Sequence, residues 1–322
     1  MAYAASQSID AADIPVIDIA PLRDGGDPER VARDLRRAAT EVGFLYVRNH
    51  GVPETVIDTA RAVARDFFAL PAARKDAVAV NTYHHGFLRI GGAKMDDDAK
   101  ADLKESFIWG LELDDAGLAA VRDNPLLGPN VWPADMPALK DAVYPYFEAA
   151  HRCAADLLRG FAIAFGLPDD AFLKSIDRPL SRASVTYYPP QPPHLGADQF
   201  GVAPHTDFGV LTVLSQDDIG GLEIQDLNGD WIAATPIPGT LVVNVGDLLT
   251  RWTNDQLRST PHRVINKSGR ERLSLVAAYD PNYETLIDPA MVCRAGETPR
   301  YAPITCGDYL MWRFKKAFAY RQ

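Results

Sequence analysis

The stretch GVAPHTDFGVLTVLSQ, residues 201–216, places a histidine and an aspartate two positions apart, directly ahead of a strongly β-prone run. Side chains at positions i and i+2 of a strand point to the same face, so His205 and Asp207 can approach one metal ion together. Pro204, Thr206 and Gly209 equally suit an ordinary turn before a strand. The pair therefore indicates a metal site only if a third ligand comes from a strand that is distant in sequence.

The residues on either side of this stretch predict the fold class. From Ser181 onward, short β-branched runs alternate with turn residues, which is typical of an antiparallel barrel or sandwich. Upstream, helical periodicity covers residues 28–42 and 54–68, short strands flank these helices, and residues 132–166 are mostly helical. We expect an α+β protein with a helical N-terminal region and an all-β core.

One further histidine is suited to complete the metal site. His262 begins the β segment HRVI inside the all-β core, with 54 residues between it and Asp207. The remaining histidines occupy a turn, a long helix, a Gly-flanked loop or a Pro-rich stretch, and we expect none of them to be a ligand: His50, His151, His84, His85 and His194. Two imidazoles and one carboxylate leave open metal positions, as in non-haem Fe(II) oxygenases, although zinc accepts the same ligands.

A candidate carboxylate-binding pair follows His262. The segment HRVINKSGRERLSLVAAY, residues 262–279, predicts a β-hairpin with its turn at Asn266 to Gly269. Arg272 and Ser274 lie two positions apart on the return strand, and an arginine fork with a hydroxyl is suited to bidentate binding of a carboxylate. A ligand held there that also chelates the metal through its other end has the form of 2-oxoglutarate.

The charge and the cysteines narrow the functional class. The formal net charge is −10 and the sequence pI is about 5.2, which argues against a nucleic-acid or anionic-membrane partner. The three cysteines form no Cys-x-x-Cys pair, as expected for reduced thiols in a cytoplasmic protein. No apolar run is long enough to span a bilayer, and no signal peptide is recognisable.

Taken together, HTDFG, STPHRV and RERLSL resemble the core of the Fe(II)/2-oxoglutarate-dependent oxygenases of the isopenicillin N synthase-like superfamily. The resemblance extends to IPVIDIAPL, EVGFLYVRNHGVP and FFALPAARKDAV in the N-terminal part, and to TYYPP, DDIGGLEIQD and NVGDLLTRWTND in the core. SQDDIGGLEIQ, QLRSTPH and YDPNYE are most similar to bacterial members. Nearly the whole chain is covered, in order.

The resemblance implies a fold and a set of residue roles. The fold is a distorted double-stranded β-helix (jelly roll) core with flanking helices. The implied iron ligands are His205, Asp207 and His262. The residues implied to bind the cosubstrate 2-oxoglutarate are Arg272, Ser274 and Tyr188. The expected regions are a loose arm (1–12), an N-terminal dioxygenase-type region (13–120), a helical connection (121–180), the jelly-roll core (181–285) and a C-terminal segment closing the barrel mouth (286–322).

The activity that follows from the resemblance is an oxidative decarboxylation of 2-oxoglutarate to succinate and CO2, using Fe(II) and O2, coupled to hydroxylation or a related C–H oxidation of a small organic substrate. An oxidase of the same superfamily that needs no 2-oxo acid remains possible at this level. A zinc hydrolase has no use for the carboxylate clamp, and a jelly-roll binding protein has no use for three metal ligands, so both are disfavoured.

The substrate contacts implied by the resemblance are distributed over four segments: Tyr83–Arg89, Lys104–Trp109, Ala278–Tyr283 and Trp312–Phe314. Within them, Phe107, Asp280 and Arg313 are the candidate residues. Each also has an ordinary structural explanation: Phe107 as a core residue, Asp280 as a turn residue before Pro281, and Arg313 as a surface charge. An arginine at the barrel mouth would suit a substrate carboxylate, but the sequence leaves the substrate's charge open.

Overall fold

The computed structural model describes residues 14–92, 101–191 and 199–317. The predicted N-terminal arm and His194 lie outside these ranges. Within them, no helix combines the length and the apolar character needed to cross a bilayer.

The described residues form seven α-helices, of which the three longest pack together. Their bounds are α1 Pro28–Glu41, α2 Glu54–Phe68, α3 Ala72–Asp76, α4 Asp115–Ala120, α5 Ala138–Ala164, α6 Asp247–Trp252 and α7 Cys306–Ala317. The Asp27 side chain caps α1 by accepting from the Arg30 backbone N–H, and the predicted apolar stripe of this helix is buried. α5 packs against both α1 and α2, so the three long helices form one layer.

The larger sheet lies against this helical layer. It contains β1 Val16–Asp18, β2 Phe44–Arg48, β3 Gly86–Leu88, β4 Glu105–Gly110, β5 Arg182–Tyr188, β7 Leu211–Gln216, β10 Thr240–Val245 and β12 Arg272–Tyr279, in the order β1-β2-β10-β7-β12-β5-β4-β3. Buried Tyr146 of α5 donates to the backbone carbonyl of Leu275, which ties α5 to the back of the sheet. Strands from the N-terminal part thus extend the sheet of the core at both edges.

The smaller sheet faces the other side of the larger one. It contains β6 Val202–His205, β8 Leu222–Gln225, β9 Trp231–Ala233 and β11 His262–Val264, in the order β6-β11-β8-β9. Phe44, Tyr46 and Val242 of the larger sheet share an apolar cluster with Leu222 and Val264 of the smaller one. The two sheets enclose the interior of a jelly-roll core, and β13 Leu286–Ile287 pairs with β14 Ile304–Thr305 outside it.

The predicted hairpin of residues 262–279 is wrong. β11 pairs with β6 and β8, whereas β12 pairs with β5 and β7, so the two consecutive strands belong to opposite sheets. The segment between them crosses from one sheet to the other, and Asn266 steadies it by donating from Nδ2 to the Arg270 carbonyl at 2.7 Å. Arg272 therefore faces His262 from the opposite sheet. The predicted region boundaries stay a prediction.

Alternation along β5 and β12 determines what faces the interior. Arg272, Ser274 and Val276 of β12 point inward, while the intervening Leu273 and Leu275 are buried on the helical side. Antiparallel pairing sets Arg272 opposite Tyr188, and Ala278 opposite Arg182. The six residue steps between these pairs span roughly 20 Å, so the strand pair has two well-separated inward ends.

Candidate metal centre and its two cavities

The three predicted metal ligands converge in the interior of the jelly roll. His205 and His262 are cross-strand partners on β6 and β11, with ring centroids 4.2 Å apart. Oδ1 of Asp207 lies 3.7 Å from Nε2 of each histidine. One ligand atom from each residue falls within 4.8 Å of the others, a spacing that one metal ion can bridge.

Backbone carbonyls fix the tautomer of both histidines. Nδ1 of His205 lies 2.8 Å from the Ala203 carbonyl, and Nδ1 of His262 lies 3.1 Å from the Thr260 carbonyl. A carbonyl oxygen only accepts, so each Nδ1 donates its proton and leaves the Nε2 lone pair directed at the centre. This arrangement is the one a metal-binding histidine requires.

The aspartate is oriented by two polar residues that the sequence analysis did not single out. Oδ2 of Asp207 accepts from Thr212 Oγ1 at 2.5 Å and from Asn244 Nδ2 at 2.8 Å, which leaves Oδ1 for a metal. Both donors lie on inward-facing positions of β7 and β10. Counting alternate residues along those two strands was the signal that could have found them.

The geometry of the aspartate differs from the prediction in one respect. β6 ends at His205, so Asp207 is in the following loop and not two positions along the same strand. The loop is fastened by the start of α6, where the Asp247 backbone N–H donates to the Asp207 carbonyl at 2.8 Å. Thr206 also donates from Oγ1 to the Asp247 carboxylate at 3.1 Å.

Burial sets the charge state of the centre. Desolvation, reinforced by the neighbouring His262, lowers the pKa of His205 to about 3, so its imidazole is neutral and able to bind a metal near pH 7. Burial alone would raise the pKa of Asp207, but the two histidines and the hydrogen bonds from Thr212 and Asn244 outweigh it and lower that pKa. The donor set is two imidazoles, of which that of His205 is held neutral, and one carboxylate.

A cavity of about 250 Å³ on one side of the centre contains the predicted clamp. Arg272 is 1% exposed and donates from Nε to the Gly220 carbonyl at 2.6 Å. Within the described residues, its two terminal nitrogens and the Ser274 hydroxyl have no hydrogen-bond partner. The Tyr188 ring lies 4.7 Å from the guanidinium carbon, which holds the fork in plane. Buried donors without partners are costly, and a carboxylate satisfies them bidentately.

A second cavity of about 180 Å³ opens on the other side of the same centre, and His205 and Asp207 line both. Asp280, which the sequence analysis named as a candidate substrate residue, lines this second cavity. Phe107 does not: it is 1% exposed in the core, on the outward face of β4, among Phe67, Trp109 and Trp132.

Arg313 also lies outside the lining of both cavities. Its Nη1 is 2.7 Å from Oδ2 of Asp247, and its guanidinium carbon is 4.1 Å from the Phe208 ring. It therefore fastens α7 to the loop that carries Asp207. The arginine that lines the second cavity is Arg182, which the sequence analysis missed, although it is in phase with Tyr188 along β5.

The histidines that we expected not to bind metal have structural positions. His50 accepts from the Val52 backbone N–H at 3.1 Å within its turn, and His151 on α5 contacts Ser181 Oγ at 2.7 Å. His84 lines both cavities and stacks on Phe314.

Comparison with known proteins agrees with this geometry. Residues 14–135 match the family described as non-haem dioxygenase in morphine synthesis N-terminal, and residues 181–281 match the 2OG-Fe(II) oxygenase superfamily. The 2-oxoglutarate-Fe(II) type oxidoreductase hxnY of Emericella nidulans is 30% identical over 314 residues, covering 94% of this chain and 90% of that protein. The chain belongs to the 2OG-Fe(II) oxygenase superfamily.

Two further similar proteins support an enzymatic role. Homoarginine-6-hydroxylase 2-ODD-C23 of Glycine max is 33% identical and covers 87% of this chain and 89% of its own. The crystal structure of a full-length Neurospora crassa protein in complex with alpha-KG (2-oxoglutarate) superposes with a TM-score of 0.83 at 28% identity, covering 93% of this chain and 95% of that one. The protein is therefore an Fe(II)/2-oxoglutarate-dependent dioxygenase. The predicted similarity to the bacterial members of the superfamily in particular is not confirmed.

Proposed function

We propose that His205, Asp207 and His262 hold Fe(II) in this dioxygenase. Support comes from the Nε2 atoms of the two histidines and Oδ1 of Asp207, which converge on one point. The remaining polar atoms of these side chains, Nδ1 of each histidine and Oδ2 of Asp207, form hydrogen bonds within the protein. One carboxylate and two imidazoles would leave further coordination positions of the bound ion open. Thr212 and Asn244 act through Asp207 by holding its carboxylate in place.

Arg272, Ser274 and Tyr188 then hold the far carboxylate of 2-oxoglutarate in the first cavity. The observation that carries this assignment is the pair of buried guanidinium nitrogens without partners, directed into a cavity that the metal residues share. A dicarboxylate satisfies them and reaches the centre with its other end. Apolar Leu214, Val264 and Val276 line the same cavity and limit the access of water.

With Fe(II) and 2-oxoglutarate bound, the site supplies the oxidative decarboxylation of the 2-oxo acid by O2 to succinate and CO2, coupled to the oxidation of a substrate C–H bond. The chain's own residues place the reactants. Arg272 sets the position of the cosubstrate along β12, and the loop after β6, held by Asp247, sets the position of Asp207. The remaining walls exclude bulk water.

The primary substrate is a small molecule that enters the second cavity, where Asp280 is a direct contact. The relatives named above include a homoarginine-6-hydroxylase, and the Neurospora crassa protein also has a structure with thymine. Leu310 and Phe314 of α7 form one wall, so Arg313 acts through the position of α7 and not by touching substrate.

The cysteines are free thiols, which supports the predicted cytoplasmic location.

The test is succinate formation from 2-oxoglutarate under air, with the protein loaded with Fe(II) and, as a control, with Zn(II). We expect slow succinate formation with iron alone, increased by the true substrate, and none with zinc. Substrate oxidation without succinate would instead assign the 2-oxoglutarate-independent oxidase. Hydrolysis of a substrate by the zinc-loaded protein would instead identify a zinc hydrolase.

A further inference from the structure

The second cavity contains an arginine and an aspartate that belong to neither the metal centre nor the cosubstrate clamp. Arg182 begins β5 and Asp280 directly follows β12. Among the described lining residues, these two and His84 are the titratable side chains other than the metal residues. Both are almost fully buried, with 8% and 2% of their side chains exposed. The rest of the lining is largely apolar or aromatic.

The arginine is placed across the cavity by its neighbours. Its guanidinium carbon lies 4.5 Å from the Phe314 ring, and Nη2 lies 3.9 Å from Oδ2 of Asp280. That separation attracts the two charges but exceeds the roughly 2.7–3.2 Å of a direct N–H···O hydrogen bond. A ligand group can therefore contact both side chains without first breaking a direct bond between those two atoms.

The aspartate is fixed on its other side. Oδ1 of Asp280 accepts from the Val210 backbone N–H at 3.1 Å. A Cβ at position 209 would lie 2.4 Å from that oxygen, so Gly209 is needed for the close approach. Asp280 is thus held against the loop that carries Asp207, while its Oδ2 is directed toward Arg182.

Charge balance limits what binds between them. Arg182 and Asp280 together are neutral, and the apolar walls make any uncompensated charge costly. A monocarboxylate would satisfy the arginine and leave a net negative charge beside Asp280, whereas a simple amine would do the opposite. A neutral or zwitterionic group that offers an oxygen to Arg182 and an N–H to Asp280 satisfies both.

We propose that Arg182 and Asp280 form a substrate-recognition pair for a small molecule that bears an oxygen acceptor next to an N–H donor, as in an α-amino acid or a cyclic amide. The proposal rests on the proposed function, because it takes the second cavity as the substrate site. Phe208 and Phe314, whose ring centroids lie 6.1 Å apart, contact each other and form an aromatic part of the cavity wall. Because His205 and Asp207 line the same cavity, a substrate bound to this pair lies beside the metal centre.

The test uses matched sets of probes on the Fe(II)-loaded protein with 2-oxoglutarate under anaerobic conditions. One set contains L-homoarginine and other α-amino acids, each with the carboxylic acid that lacks the amine and the amine that lacks the carboxylate. The other set contains thymine and 2-piperidone, each with its N-methylated form. The dissociation constant comes from the shift in unfolding midpoint with probe concentration.

We expect binding within at least one set, weakened about ten- to a hundred-fold when either the acceptor or the N–H is removed from the probe. Arg182→Met should weaken it by a similar factor, Arg182→Lys by less, and Arg122→Met not at all, since Arg122 is 80% exposed. Partial rescue by lysine separates a lost contact from a misfolded protein. The set that binds distinguishes amino acids from cyclic amides.

Three results would overturn the proposal: no binding in either set, equal binding of the probes that lack one group, or an unchanged constant in Arg182→Met. Succinate formation by the wild-type protein distinguishes the two levels. If succinate forms and the probes show no such preference, the recognition pair is wrong while the dioxygenase assignment stands. If no succinate forms, the proposed function itself fails.

Discussion

The two ends of the inward face between β5 and β12 each hold a buried arginine, but in different surroundings. At the Arg272 end, the terminal nitrogens have no hydrogen-bond partner among the described residues, and a hydroxyl and a tyrosine ring lie beside them. At the Arg182 end, an aspartate stands 3.9 Å away and aromatic rings form the wall. An arginine without a counterion suits one constant anion. A charge-balanced pair suits a neutral or zwitterionic group.

The largest effect is expected at Asp207, which lines the cavities at both ends. Asp207→Ala removes the carboxylate from the centre, and we expect Fe(II) affinity to fall by at least about a hundred-fold, and turnover with it. The fold should persist, since the apolar faces of the two sheets hold it. Equilibrium dialysis of Fe(II) measures the change, with Asp218→Ala, whose side chain is 79% exposed, as the matched control. Undiminished iron binding in Asp207→Ala would exclude Asp207 as a ligand.

The substrate end should respond to pH through Asp280. Burial raises the pKa of Asp280 from 3.8 to about 6, against the opposing effect of Arg182. The folded protein therefore favours the protonated carboxyl: the stability this provides is full below pH 3.8 and is lost as pH rises through 6.

Asp280→Asn removes that titration. Between about pH 4.5 and about pH 7.5, the free energy of unfolding of the wild type should fall by roughly 2 kcal/mol relative to the variant. Urea unfolding of both proteins across this range measures the difference, in which the other titrating groups cancel. Parallel pH profiles of the two proteins would show that Asp280 has an ordinary pKa.

The smallest effect is expected where α7 closes the substrate end. Arg313→Met removes the ion pair with Asp247, a partly exposed contact of about 1 kcal/mol. Hydrogen exchange should become several-fold faster in α7, while the dissociation constant of 2-oxoglutarate is unchanged. Lys315→Met, at an exposed position of the same helix, is the control. A loss of 2-oxoglutarate affinity in Arg313→Met would place Arg313 in the cosubstrate site.

The cluster of His205, Asp207 and His262 could be predicted because local pattern and distant spacing agree: HTDFG precedes a strand, and His262 begins another. The hairpin prediction failed because a turn between two strands looks the same in sequence whether the strands pair or cross to opposite sheets. Asp207 lies beyond the end of β6, where its backbone carbonyl accepts a hydrogen bond from the Asp247 N–H at the start of α6. A contact between residues 207 and 247 cannot be recognised from the local sequence pattern.

The residues predicted to contact the substrate show the same limit. Alternation along β4 places Ser106 and Ile108 in the cavity and Phe107 in the core, so strand phase alone would have excluded Phe107. The same count from Tyr188 leads to Arg182. The contacts of Arg313 depend on which face of α7 packs against the core. The sequence does not determine that face, because both neighbours of Arg313 are aromatic, yet Trp312 is half-exposed and Phe314 is buried.

The binding of 2-oxoglutarate to an Arg272→Lys variant tests the assignment of the two ends most directly. Lysine keeps the charge and loses the planar fork, so calorimetric titration of the anaerobic Fe(II)-loaded protein should show a dissociation constant about ten- to a hundred-fold above that of the wild type. Arg270→Lys, at a side chain that is 67% exposed two positions earlier, should bind 2-oxoglutarate as the wild type does. An unchanged dissociation constant in Arg272→Lys would contradict the assignment and require that the cosubstrate bind elsewhere.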